Sequence, residues 1–237
     1  MMSVLLLGFL LGMRHAVEAD HVAAVASMTT QSKSLGDAMR LGATWGLGHT
    51  LTLFLFGSIV LFTDSFIPTD MAMMLEFAVG AMLIALGVDV IRRMVRQRIH
   101  FHQHVHAEGV KHFHAHSHAG EGNHDQSTHS HTHKKKLQLR PLLVGMMHGM
   151  AGSAALIVLA LQTVNSTLTG MLYIALFGLG SVAGMAVLAT IIMIPLRHSA
   201  QRLTGFYNGL QTTIGIGTIT FGAYVMYQIG VVEGLVI

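Results

Sequence analysis

Residues 3–29 read SVLLLGFLLGMRHAVEADHVAAVASMT, a run of apolar and small residues interrupted near its middle by Arg14, His15, Glu18, Asp20 and His21. A helix of about 20 apolar residues crosses the roughly 30 Å hydrocarbon core of a bilayer, so the stretch reads as a membrane span. Five ionisable residues in eight positions are a costly insertion. Each Arg or Asp at the centre of a span costs about 2.5–3.5 kcal/mol on insertion scales. Such residues face a bundle interior and mark an ion path; the plainer reading is a polar cluster that locks helices together.

On a regular helix His21, Arg14, Glu18 and His15 share an arc of about 120°. Arg14 and Glu18, four residues apart, are expected to pair. Asp20 points away from that arc. Either it is an outer group bonding an imidazole of another span, or the helix is broken here as transporter helices often are.

Working outward, five more stretches qualify as spans, about 38–62, 71–95, 140–163, 168–195 and 206–229. The fold expected is all-α and integral to the membrane, with six transmembrane helices. Composition agrees: 52% of the 237 residues are hydrophobic and 11% charged, against about 25% charged in soluble domains. Lys33 and Arg40, Arg92 to Arg98, Lys134 to Arg140, and Arg197 and Arg202 fall in alternate loops, and the other loops lack Lys and Arg. The positive-inside rule makes the basic loops cytoplasmic and both termini external. The basic balance therefore belongs to loops, and no nucleic-acid partner is expected.

Gly12-Met13-Arg14-His15 parallels Gly145-Met146-Met147-His148, Gly46-Leu47-Gly48 parallels Gly178-Leu179-Gly180, and Phe77 and Gly80 parallel Phe206 and Gly209. With three spans per half, the halves would be inverted repeats, whose substrate sites lie near the midplane between them. The expected organisation is a first repeat over 1–97, a disordered histidine-rich cytoplasmic loop over 98–138, and a second repeat over 139–237.

The sequence has no cysteine, so a metal site must use nitrogen, oxygen or thioether donors. His15 and His21 with Glu18 and Asp20 suit Ni²⁺, Co²⁺, Zn²⁺ or Mn²⁺ better than Cu(I). His49, in Gly46-Leu47-Gly48-His49-Thr50, and His148, which stands in the second half where His15 stands in the first, are either further ligands or hydrogen-bonded packing residues. Of 17 histidines, 12 lie between His100 and His133, largely as His-x-His. With ordinary pKa values near 6.5 most would be neutral and free to bind metal. A flexible loop imposes no coordination geometry, so it buffers or senses ions and is not the permeation site.

His15-Ala16-Val17-Glu18-Ala19-Asp20-His21 resembles the His-x4-Asp-His signature of the nickel/cobalt transporter family, and Gly48-His49-Thr50 resembles its Leu-Gly-His-Ser/Thr segment. The specific likeness covers roughly residues 1–62. It implies metal recognition by His15, Asp20, His21 and His49. The best-known members have eight spans and an Asp-Thr-Ala-Thr-Glu stretch that is absent here. His148-Gly149-Met150-Ala151-Gly152-Ser153 looks instead like the shorter urease-accessory nickel permeases, which adds nickel-enzyme maturation proteins as candidate partners. The long loop is similar to that of nickel/cobalt effluxers.

The resulting expectation is a secondary transporter of the cell (inner) membrane, no enzyme and without a cofactor, that carries Ni²⁺ or Co²⁺ inward. Outward transport is the nearest alternative. From another class, an intramembrane metal-dependent hydrolase could use the same donors with an open position for water, although His-Glu-x-x-His is missing.

Overall fold

The computed structural model describes residues 2–63, 68–97, 100–105, 111–116, 139–151, 166–202 and 204–235. Its helices are α1 (Met2–His15), α2 (Ala19–Thr29), α3 (Leu35–Thr63), α4 (Thr69–Gln97), α5 (Leu139–Ala151), α6 (Thr167–Arg202) and α7 (Thr204–Tyr227). A π-helical turn, Gln228–Val232, extends α7. Four helical stretches are long and apolar enough to cross a membrane: Leu35–Val60, Thr69–Arg96, Leu168–Ser199 and Gly205–Val232. The expected first span is two helices, and the far half of the expected fourth span, 152–163, lies outside the described residues.

Helix starts follow local chemistry. Ser34 Oγ accepts from the Asp37 amide at 3.1 Å, which satisfies an amide of the first turn of α3, and donates to the Asp37 carboxylate at 2.8 Å. Ser166 Oγ accepts from the Thr169 amide at 3.3 Å in the same way at the start of α6.

Helix packing is set by small residues. Gly42 lies against Met185, Gly46 against Val182 and Gly178 against Thr50, so α3 and α6 run antiparallel along a glycine seam. Gly12 rests on the Phe177 carbonyl of α6, and Gly145 of α5 rests on the Trp45 carbonyl of α3. A Cβ at either position would sit on backbone oxygen. Removing it lets helices approach closely, the usual device where lipid supplies no hydrophobic force between them. The α4–α7 pair is antiparallel too, with Gly80 against Gly222 and Gly87 against Gly215. Gly209, which the sequence set beside Gly80, faces open space.

The distribution of polarity is that of a membrane protein. Leu47, Leu51, Leu55, Ile59 and Phe62 form an exposed stripe at four-, four-, four- and three-residue steps along α3, while His15, His21, His49, His148, Ser27, Thr29, Ser181 and Thr218 are buried. Buried hydroxyls join helices: Ser27 Oγ and Thr218 Oγ1 are 2.9 Å apart, and Thr50 Oγ1 donates to the Gly178 carbonyl at 3.0 Å.

Within the histidine-rich segment, where the sequence reading expected no regular structure, β1 (His100–Val105) and β2 (Lys111–His116) pair antiparallel, with His102 opposite His114 and His104 opposite His112. The His-x-His alternation has the two-residue period of a strand. The rest of the expected disordered loop, including the His129–His133 repeat, lies outside the described residues.

Candidate metal centre

The site begins at the break in the first span. After His15 the chain tightens through bonds from the Val17 amide to the Arg14 carbonyl and from the Glu18 amide to the His15 carbonyl. Glu18 is then extended, with φ −64° and ψ 149°, and caps α2. This break separates Arg14 from Glu18, so the expected i,i+4 pair does not form among the described residues. Glu18 Oε1 instead lies 2.9 Å from His15 Nδ1, off the line of the ring N–H, which leaves that nitrogen without a hydrogen bond.

The break also redirects Asp20 into the first turn of α2, where a carboxylate is favoured by the helix dipole. Its Oδ1 accepts from the His21 amide at 2.9 Å and meets His21 Nδ1 at 2.8 Å. Its Oδ2 meets His148 Nε2, on α5, at 2.7 Å. Both sequence alternatives for Asp20 thus hold together: the helix is broken, and the carboxylate bonds an imidazole of another span. One carboxylate orients two rings from opposite halves of the chain.

Around His21 the imidazoles converge. His15 Nε2 and His49 Nε2 are 3.2 Å apart, and one ligand nitrogen from each of His15, His21 and His49 fits within a 4.8 Å group. Asp20, His21 and His148 form a second such group. All four histidines are at most 5% exposed. His21 Nε2, His49 Nδ1 and His148 Nδ1 are buried without a hydrogen-bond partner, an arrangement that costs about 1–3 kcal/mol per group unless something else satisfies it. Ligands bound at about 2.1 Å to one ion lie roughly 3.0–3.4 Å from each other at octahedral to tetrahedral angles. The His15–His49 separation is of that size.

Sequence reasoning passed over three side chains here. Trp45, the chain's single tryptophan, is fully buried and stacks on His49 at 6.0 Å and 17°, with its edge toward His21 and His148 at 5.3 Å each. It sits one turn before His49, a spacing that could have revealed it. Phe177 packs 5.3 Å from His15. Glu76 on α4 lines a cavity of about 410 Å³ together with His15, Glu18, Asp20, His21 and His148. The one ionisable residue in the apolar run between Asp70 and Asp89 was the available signal. Gln211 donates to the Tyr207 hydroxyl of its own helix at 2.8 Å and His198 is exposed; neither reaches this site.

A helical membrane bundle that encloses four histidines and a carboxylate held between two of them defines a metal-handling membrane protein. The chain is 37% identical over 235 residues to urease accessory protein UreH of Bacillus sp. (strain TB-90), covering 99% of this chain and 95% of that one. It is 34% identical over 95 residues to a protein of Methanocaldococcus jannaschii named as a nickel/cobalt efflux system, covering 39% of this chain and 44% of that one. No family model and no solved structure matches the chain. The chain belongs to the nickel/cobalt permease family, in the short form represented by UreH.

Proposed function

We propose that the chain is a secondary transporter that takes up Ni²⁺ or Co²⁺ across the cell membrane, with the ion held by His15, His21 and His49. The observation that carries this is the convergence of three buried imidazoles from α1, α2 and α3, each offering one ring nitrogen to a group within 4.8 Å, with His21 Nε2 left unsatisfied. Asp20 fixes the proton of His21 on Nδ1 and turns the lone pair of Nε2 inward, the usual task of a carboxylate behind a metal-binding histidine. Glu18 Oε1, 2.9 Å from His15 Nδ1, sets a negative charge beside that ring. The ion would take the place of the hydrogen bond between His15 Nε2 and His49 Nε2, the ring proton of that pair moving to the unpartnered Nδ1 of its own imidazole. His148 holds the far side of Asp20 and closes the arrangement from α5. Nitrogen-rich, thiolate-free donors favour nickel and cobalt over Cu(I).

The bundle reads as two inverted three-helix repeats, and six spans follow if residues 152–163 continue α5. Exchange of the halves supports this. Gly12 against Phe177 matches Gly145 against Trp45, and Gly180 against Phe9 matches Gly48 against Leu142. Phe177 beside His15 matches Trp45 beside His148, and the Ser34 cap matches that of Ser166. On this reading the repeats span 1–97 and 139–237, and the ion site lies between them, where alternating access requires it. The sorting of Lys and Arg puts the termini outside and the histidine-rich segment inside. The cavity then opens toward the outer face. Membrane potential drives uptake of a dication with about 4.6 kcal/mol per 100 mV, at roughly 2.3 kcal/mol per charge. The likeness to a urease accessory protein makes nickel-enzyme maturation proteins the natural recipients.

The test is ⁶³Ni²⁺ accumulation at submicromolar concentration in cells expressing the chain, beside His21→Ala at equal membrane abundance. Accumulation lost in the variant is the expected result. Lower accumulation with greater metal tolerance would reverse the direction, which the name of the partial relative favours. Undiminished uptake by His21→Ala would remove the site assignment.

A further inference from the structure

Glu76 is seven residues into α4, about 10 Å along the helix axis from Thr69, in a stretch otherwise fit to lie in lipid. It is half-buried, and among the described residues it has no hydrogen-bond or ion-pair partner. A carboxylate at that depth without a counter-charge faces either water or an ion. The cavity it lines is shared with Glu18, which is 57% exposed, and with Asp20. At the bottom of the same cavity lie His21 and His148, each 1% exposed, whose Nε2 and Nδ1 respectively have no partner. The oxygen donors Glu18 and Glu76 are thus the more open to water, while the nitrogen donors of the same cavity are buried.

We propose that Glu76, with Glu18, forms a capture station that draws a hydrated divalent cation into the cavity before it sheds water onto the imidazoles. The proposal rests on the histidine site described above and adds a step ahead of it. Carboxylates suit a cation that keeps its water, because they attract by charge and exchange with water readily. Imidazoles suit the dehydrated transition metal. A low-dielectric cleft lined with one sign of charge raises the local ion concentration and the association rate, and salt screens that effect.

Trp45 supplies the readout, since open-shell Ni²⁺ and Co²⁺ quench a tryptophan packed against their ligands. The full chain in lipid nanodiscs is mixed rapidly with excess Ni²⁺ at low and high ionic strength, as wild type, Glu76→Gln and Glu76→Asp. The capture station predicts that Glu76→Gln slows quenching about 3- to 10-fold at low salt, the gap closing at high salt, with the final amplitude and the dissociation rate unchanged. Glu76→Asp, which keeps the charge, stays within about twofold of wild type. Equal rates for wild type and Glu76→Gln would overturn the capture station while leaving the histidine site standing. Faster dissociation from Glu76→Gln at an unchanged association rate would also overturn it, by making Glu76 a ligand of the bound ion. A wild-type chain that Ni²⁺ does not quench would remove the histidine site and the station with it.

Discussion

Asp20 bridges the site: one oxygen reaches His21, its chain neighbour, and the other reaches His148, 128 positions away in sequence. Asn at this position is the same size but offers one acceptor where two imidazoles ask for one each. Asp20→Asn is therefore expected to weaken Ni²⁺ binding about 10- to 100-fold, the usual range for groups behind a metal ligand, while the protein still inserts. A titration followed by Trp45 fluorescence measures it, and unchanged affinity would mean that Asp20 only packs. The donors themselves were legible in the sequence, because ionisable side chains in an apolar run stand out. Their roles were not, since spacing on an ideal helix puts Asp20 on the wrong face and pairs Glu18 with Arg14. The turn at residues 16–18 changes both partners. Glu76 and Trp45 escaped because each gains meaning only from what the other helices bring near.

Among the elements, α3 packs through glycines on two faces, against α5 and against α6. Gly145→Ala would push α5 off the Trp45 carbonyl, with an expected cost of about 1–3 kcal/mol typical of overpacking. Gly209→Ala, where a Cβ meets nothing within 4 Å, should leave the melting temperature in detergent unchanged or raise it, alanine being the better helix former. Equal losses from both would show that the α3–α5 contact does not limit stability. Asp89 lies one turn before Arg93 on α4. It meets Arg93 at 3.4 Å and Arg140 at 2.5 Å, which ties the end of α4 to the start of α5. Arg140 is 49% exposed, so Arg140→Ala should cost no more than about 1 kcal/mol in the same melting assay. The four longest spans were readable from hydropathy. The split of the first was left as one of two alternatives, because composition is apolar on both sides of the break and the bonds that close it are backbone bonds.

At the scale of the molecule, the orientation drawn from basic loops has a direct test, since the chain has no cysteine of its own. Thr69→Cys should react with a membrane-impermeant maleimide in intact cells, and Lys33→Cys only after lysis; the opposite pattern would invert the topology. Deletion of residues 100–133 should preserve ⁶³Ni²⁺ accumulation at saturating metal and alter only its dependence on metal load. Complete loss of transport would assign permeation to the histidine-rich segment. Sequence by itself determined that the chain is a helical membrane protein carrying imidazole and carboxylate donors, because lipid as a solvent admits few polar residues and makes each one conspicuous. Only the tertiary structure decided which donors meet, because that depends on a backbone break, on glycine seams that set helix separation, and on Asp20 bridging helices that the linear order keeps apart.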